Sequence, residues 1–329
     1  MSSYSNICFY GGGAWGQALA ITLASLGHKS TLIVSDKIRE TNINNHISKR
    51  FPQTKLSPLI KASIDNNEIV KNCDLIFITT ESKRVLNVIN QIALLSKKNT
   101  HVVITSKGFA NNKGKTFIEI VQSDFPKLAL SILSGPTFAD EIANSQPAAA
   151  VVANKEIEKA NSICELFHNS NLRLYPSNDP QGVSIAGAVK NIIAIGAGII
   201  EGLGLGDNAK AALITRGISE TSELIKKAGG NYSSAFGLAG IGDMTLTCSG
   251  PHSRNMAYGI KIVKNDNEEP KELVEGLNAI DAAIALSKTL DMELPIMTSI
   301  KKILNKEANI DEIIKQLLSR PITNEFSKL

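Results

Sequence analysis

Residues 7–26 read ICFYGGGAWGQALAITLASL: four apolar residues, a glycine cluster, then small and apolar residues at helical spacing. The run Ile7 to Tyr10 predicts a buried strand and Gly16 to Leu26 a helix, so the glycines form a strand-to-helix turn. Gly11, Gly13 and Gly16 take the three glycine places of G-x-G-x-x-G. Such a turn needs a sharp bend, then a residue without a side chain where a pyrophosphate approaches, then a close helix–strand contact. Free N–H groups at the helix start favour the anion. The stretch therefore predicts a dinucleotide site at the head of a doubly wound parallel sheet.

Working outward, short apolar and partly β-branched runs recur at 31–34, 75–79, 102–105, 130–133 and 149–153, with helical spacing over 83–95. Alternation of this kind predicts an α/β, Rossmann-like N-terminal domain. Beyond about Pro180 the apolar content falls in long segments, which predicts helices at 182–200, 208–228, 253–264, 270–290 and 310–319. EGLGLGD, FGLAGIGD and ELPIM read as links between them. The stretch YPSNDPQG, with two prolines and a glycine, places the boundary at 176–182. The expected organisation is a dinucleotide-binding domain over 1–178 and an all-helical substrate domain over 179–329.

Composition agrees with this plan. A chain of 329 residues that is 43% hydrophobic can bury two cores, which excludes a disordered or fibrous protein. Lys and Arg number 35 against 31 Asp and Glu, so the net charge of +4 lacks the footprint of a nucleic-acid binder. Cys8, Cys73, Cys164 and Cys248 lie far apart, and the histidines show no ligand spacing, so neither a disulfide framework nor a metal is expected. The opening MSSYSNICFYGGG carries no basic leader, and the expectation is a cytoplasmic protein. Residues 182–200 are long and apolar enough to span a bilayer, but Lys190 near their centre would cost about 2.5–3.5 kcal/mol there. A buried core helix without membrane insertion is the better expectation.

Several residues fit a hydride-transfer site, which needs a proton exchanger, donors toward a developing oxyanion and anchors for the rest of the substrate. Asp36, twenty residues beyond Gly16, stands where an acid holds the adenosine ribose of NAD. Ser35, Lys37 and Arg39 around it would equally suit the 2′-phosphate of NADP, and the choice stays open at this point. Trp15 either covers the pyrophosphate or packs on the sheet. Lys190 is the candidate proton exchanger, because an apolar setting disfavours its charge and brings its pKa toward the working range. Lys107 follows the 102–105 strand at the carboxyl edge of the sheet, where doubly wound folds bind ligands. Ser134 to Ala139 follow the next strand with backbone donors available for a substrate or the nicotinamide amide. Asp243 would fix Lys190 or accept a substrate hydroxyl, and PHSRN at 251–255 offers a phosphate cradle.

Six motifs then carry a family resemblance in order along nearly the whole chain. They are GGGAWG at 11–16, TSKG at 105–108, SGPTFADEIA at 134–143, GAVKNIIAIGAGIIEGLGLGDNAKAALITRG at 187–217, GLAGIGD at 237–243 and HSRN at 252–255. The chain resembles the bacterial-type NAD(P)-dependent glycerol-3-phosphate dehydrogenases. The resemblance implies reversible reduction of dihydroxyacetone phosphate to sn-glycerol 3-phosphate, a supply of glycerophospholipid backbone, and no metal. It implies Lys190 as proton acceptor in the oxidative direction. It implies substrate contacts from Lys107, Gly135, Thr137, Lys190, Asp243, Ser253, Arg254 and Asn255. It further implies cofactor contacts from Gly11, Gly13, Ala14, Trp15, Gly16, Ser35, Asp36, Lys107, Ala139, Arg254, Leu273 and Glu275. A homodimer follows by analogy. Gln17 departs from the threonine common in the family, and Ser35 from a basic residue or histidine; the second departure weakens strict NADPH preference. The readings set against this one are another Rossmann-plus-helical dehydrogenase, of the 6-phosphogluconate or β-hydroxyacid type, and a dinucleotide sensor without turnover.

Overall fold

The computed structural model describes residues 4–250, 253–264 and 273–319. The chain divides into two compact units, one of Met1–Ser106 with Phe117–Pro180 and the other of Lys107–Thr116 with Gln181–Leu329. Residues 107–116 thus leave the first stretch of chain and belong with the second unit, a detour that a single boundary near 178 does not contain.

The first unit is built on an eight-stranded sheet: β1 Ile7–Tyr10, β2 Ser30–Ile33, β3 Ile60–Ser63, β4 Leu75–Ile78, β5 His101–Ile104, β6 Ala129–Ser134, β7 Ala148–Ala153 and β8 Leu172–Ser177. Their order is β3-β2-β1-β4-β5-β6-β7-β8. The helices between them are α1 Ala14–Ser25, α2 Lys37–Asn44, α3 Asn66–Asn72, α4 Val85–Leu95, α5 Phe117–Asp124, α6 Ala139–Ala143 and α7 Ile157–Leu166. Strands β1, β4 and β5 are buried at every position, which is why they read as unbroken apolar runs. Phe9 stacks on Phe77 at 5.0 Å between ring centroids, and Phe167 meets Phe77 edge-on at 6.1 Å, so the sheet core closes on aromatic contacts. His101 is spent on structure: Tyr4 Oη lies 2.7 Å from Nδ1 and Ser131 Oγ 2.8 Å from Nε2, and burial pushes its pKa down to about 4.

The expected doubly wound parallel sheet needs one correction. Strands β1 to β6 pair in parallel, but β7 lies antiparallel to β6, and β8 pairs in parallel with β7. The reversal falls at the link from Ser134 to Ala148, which carries the 5-residue helix α6. Two strands also escaped the sequence reading. β3 is short and carries Lys61 on its exposed face, and β8 alternates buried and exposed residues over Leu172–Tyr175 before an exposed Pro176. Pro176 is tolerated because β8 is an edge strand, where a missing N–H breaks no ladder.

The second unit is helical: α8 Pro180–Leu203, α9 Asp207–Lys227, α10 Asp243–Cys248, α11 Arg254–Val263, α12 Glu275–Thr289, α13 Pro295–Leu304 and α14 Ile310–Leu318. Its axis is α8, whose most apolar window is long enough to cross a membrane and is 94% buried inside the protein. The approach of α11 to α8 is close enough that a Cβ on Gly198 would strike the Met256 carbonyl, and one on Gly259 the Ile195 carbonyl. Helix α13 corrects the reading of ELPIM as a plain link. Pro295 is its first residue, where a missing N–H costs nothing, and the Glu220 carboxylate accepts from the free N–H groups of Ile296 (2.5 Å) and Met297 (3.3 Å). FGLAGIGD is likewise no simple link, since Leu238–Gly242 forms one wide π-type turn that delivers Asp243 to the start of α10. Of the helix expected over 270–290, residues 270–272 lie outside the described residues and the helix proper begins at Glu275. Pro251 and His252 of the PHSRN cradle also lie outside them.

Candidate active site

In the first unit the glycine turn meets each requirement its sequence raised. Gly11 has φ +129°, and a Cβ there would stand 2.8 Å from Thr79 Oγ1, which itself donates to the Gly11 carbonyl at 2.8 Å. A Cβ on Gly16 would collide with the Gly11 carbonyl, so α1 sits directly on the turn. At Gly13 a Cβ would meet nothing within 4 Å, which leaves the N-terminus of α1 open, and no side chain caps it. The turn is a cradle of backbone N–H groups with room for a pyrophosphate, and it fits a dinucleotide. Ala14 and Trp15 begin α1, and Trp15 packs partly buried against the sheet core, the second of its two expected roles.

At the end of β2, Asp36 caps α2. Its Oδ1 accepts from Arg39 N at 2.8 Å, while Oδ2 accepts from Ser35 Oγ at 3.1 Å and lies 3.2 Å from Arg39 Nε. The backbone N–H of Arg39, with help from Ser35 and the Arg39 charge, holds this carboxyl below its ordinary range. Gly135 follows β6 with φ +152°, and a Cβ there would press on Ala150 Cα at 2.8 Å. Thr137 Oγ1 donates to the Gly135 carbonyl at 3.2 Å, and Ala139 opens α6.

The second unit gathers the charged residues. Asp243, 1% exposed, bridges two ammoniums: Lys190 Nζ donates to Oδ1 at 2.9 Å and Lys107 Nζ lies 2.6 Å from Oδ2. Lys190 also donates to Thr247 Oγ1 at 2.7 Å, and that hydroxyl donates to the Asp243 carbonyl at 2.6 Å. Burial lowers the Lys190 pKa, Asp243 raises it and the neighbouring Lys107 charge lowers it, which together leave it at about 8. Burial opposes the charge on Asp243 too, but the two lysines outweigh it and hold the carboxyl below its usual value. The result is a buried lysine poised near neutrality with its counter-ion fixed, the arrangement that proton exchange requires.

Beside this cluster, Asn255 Nδ2 donates to Asn191 Oδ1 and Asn255 Oδ1 accepts from Gly276 N, both at 2.9 Å. Ser253 caps α11, its Oγ accepting from Met256 N at 3.3 Å, and Arg254 is the first residue of that helix. Leu273 precedes α12 and Glu275 begins it. Lys107, Lys190 and Asp243 therefore meet, and Asn255 is tied to the residue next to Lys190. Sequence reading missed Thr247 and Asn191. Thr247 could have been found from its place one turn after Asp243, on the same helix face. Among the described residues no group of three or more His, Cys, Asp or Glu side chains could hold a metal ion.

Residues 6–160 match the N-terminal domain and residues 179–315 the C-terminal domain described as NAD-dependent glycerol-3-phosphate dehydrogenase. The chain belongs to the NAD-dependent glycerol-3-phosphate dehydrogenase family. It is 35% identical over 333 residues to glycerol-3-phosphate dehydrogenase [NAD(P)+] of Bacillus subtilis, covering 98% of this chain and 96% of that one. The enzyme of the same name from Halothermothrix orenii is 36% identical over 332 residues, covering 98% and 97%. Among solved structures, glycerol-3-phosphate dehydrogenase from Coxiella burnetii superposes with a TM-score of 0.87 at 31% identity, over 96% of this chain and 99% of that one. This glycerol-3-phosphate dehydrogenase family member thus shares its fold with that structure over nearly the whole chain.

Proposed function

We propose that this chain is an NAD(P)-dependent oxidoreductase that interconverts dihydroxyacetone phosphate and sn-glycerol 3-phosphate, with Lys190 as its acid and base. The observation that carries the reading is the buried Lys107–Asp243–Lys190 bridge, in which one lysine is brought to a pKa of about 8. When bound, the nicotinamide cofactor supplies or accepts the hydride at C2. The turn of Gly11, Gly13, Ala14 and Gly16 would hold its pyrophosphate, and Trp15, Ser35, Asp36, Ala139, Arg254, Leu273 and Glu275 would be its further contacts. Lys190 holds a proton at Nζ and releases it to the C2 oxygen in the direction of reduction; in oxidation its neutral amine takes that proton back. Asp243 and Thr247 orient Nζ and stabilise its charged form. Lys107, which shares the same carboxylate, offers its ammonium to the developing alkoxide. Ser253, Arg254 and Asn255 bring a guanidinium, an amide and helix N–H groups to the phosphate, and Gly135 and Thr137 complete the substrate contacts.

In this reading the dinucleotide role belongs to residues 1–178 and the substrate role to 179–329, with Lys107 added to the latter. The protein works in the cytoplasm as a homodimer without membrane insertion and feeds glycerophospholipid synthesis. The test is loss of nicotinamide absorbance with dihydroxyacetone phosphate, run with NADH and NADPH, with 6-phosphogluconate plus oxidised cofactor as the control. Turnover with the triose phosphate alone is expected. Turnover with 6-phosphogluconate, or dinucleotide binding with no turnover at all, would overturn the assignment.

A further inference from the structure

Lys107 comes to the lysine–aspartate cluster on a loop, 107–116, that has no helix or strand of its own, and yet its Nζ lies 2.6 Å from Asp243 Oδ2. The shape of the loop is set locally. Asn111 Oδ1 accepts from the N–H groups of Lys113 at 3.0 Å and Lys115 at 3.3 Å, the Asn111 carbonyl accepts from Gly114 N at 3.2 Å, and Ala110 N donates to the Lys115 carbonyl at 2.8 Å. The loop is thus a closed tip over 110–115 with two short legs. Lys107 stands at the foot of one and Thr116 at the foot of the other.

Two residues fasten this loop to the helices of the second unit. Gly114 has φ +85°, and a Cβ there would stand 2.6 Å from the Ala282 carbonyl oxygen and from Leu286 Cβ, so the tip lies directly on the backbone of α12. A larger residue fits only if the tip lifts. Thr116 is 0% exposed, and its Oγ1 donates at 2.8 Å to Oε1 of Gln181 in the first turn of α8, the helix that carries Lys190. Within the cluster the Lys107 side chain is 21% exposed, against 9% for Lys190 and 2% for Asp243, so it is the member that movement of the loop would draw away.

That movement would have a chemical consequence. The charged and titratable groups that face Lys190 are Asp243 and Cys248 from α10 and Lys107 from the loop. Burial pushes the Cys248 thiol up to about 12, so it stays neutral across the working range. The Lys107 charge lowers the Lys190 pKa, and its withdrawal would raise it.

We infer, on the reading of Lys190 as acid and base, that Gly114 and Thr116 are positioning residues for the reaction: by seating the 107–116 loop on α12 and α8 they hold the Lys107 ammonium on Asp243 and fix the charge balance beside Lys190. Both lie outside the glycine turn, the cluster and the phosphate cradle.

The test is the pH profile of kcat for dihydroxyacetone phosphate reduction, with thermal unfolding measured beside it on the same full-length proteins. Lys107→Met removes the charge and sets the full effect, an upward shift of the inflection by about one pH unit. Gly114→Ala is expected to reproduce at least about half of that shift, and to add nothing when combined with Lys107→Met, since the two act through one group. Thr116→Val, which keeps the shape of the side chain and removes its bond to Gln181, should move the inflection upward by at least about a quarter of a unit, and it carries the test if Gly114→Ala does not fold. Thr116→Ser should restore the wild-type profile. Lys113→Gln removes an exposed cation from the same tip and should leave the inflection in place. Lower thermal stability in the Gly114 and Thr116 variants with the inflection unmoved would overturn the inference. So would a shift with Lys113→Gln as large as with Gly114→Ala, or a full further shift when Gly114→Ala is added to Lys107→Met. A wild-type profile without an inflection near 8 defeats the Lys190 reading and this inference with it, whereas an inflection near 8 that the loop variants leave in place defeats this inference alone.

Discussion

The glycine turn of the first unit and the lysine–aspartate cluster of the second prepare for their ligands in opposite ways. The turn holds no charge; it works by what is missing, side chains at Gly11, Gly13 and Gly16, and presents backbone N–H groups that the α1 N-terminus leaves unpaired within the helix. The cluster is full: two ammoniums and one carboxylate are already buried together, and Thr247 supplies a further hydrogen bond. Binding at the turn should therefore depend on steric room. Chemistry at the cluster should depend on charge balance, because removal of one member leaves the others buried and uncompensated.

The sharpest way to separate the two is Lys190→Ala. We expect kcat for dihydroxyacetone phosphate reduction to fall by about 10³-fold, within the usual range for a lost general acid, while NADH affinity in titration stays near wild type. Asp243→Asn should act on stability as well as rate. Breaking a buried ion pair costs about 3–5 kcal/mol, and loss of the carboxylate moves the Lys190 pKa further down, which thermal unfolding and the pH profile of kcat respectively read. At the turn, Gly16→Ala drives a Cβ into the Gly11 carbonyl, and overpacking of that kind costs about 1–3 kcal/mol. Its effect should fall on dinucleotide affinity, with the Lys190 pH inflection unmoved. Smallest is Thr247→Val, which removes one hydrogen bond to Nζ, worth about 1 kcal/mol and so about fivefold in kcat, with rescue by Thr247→Ser. If Gly16→Ala moved the pH inflection, or Thr247→Val weakened NADH binding, the division of labour between the two regions would fail.

The two regions also differ in how far they could be read from sequence. The glycine turn is local: its strand, bend and helix start fall within a few consecutive residues, so spacing alone predicts its geometry. The cluster is assembled from positions 107, 190, 243 and 247, and no short window contains it. Lys190 stood out because a charge in an apolar helix is conspicuous, yet nothing local showed that Lys107 and Lys190 share one carboxylate. Thr247 was silent because a threonine in a short helix has an ordinary role as well. In the fold, the fully apolar strands were legible and the edge strands β3 and β8 were not, since edges bury one face only and tolerate Lys61 and Pro176. The reversal at β7 was hidden for a different reason. Apolar runs predict strands but carry no direction, so the antiparallel pairing of β7 with β6 has no mark in its own residues.

The most direct test of the account is the pH dependence of kcat measured in both directions on the wild-type protein. With Lys190 as the proposed acid and base, reduction needs its ammonium and oxidation its neutral amine. With a pKa of about 8, kcat for reduction should fall as pH rises through that value and kcat for oxidation should rise through it. Opposed arms inflecting near 8, both absent from the residual activity of Lys190→Ala, are the predicted result. Arms that run in the same direction, or that persist unchanged in the Lys190 variant, would contradict the assignment of Lys190 as the group that carries the proton.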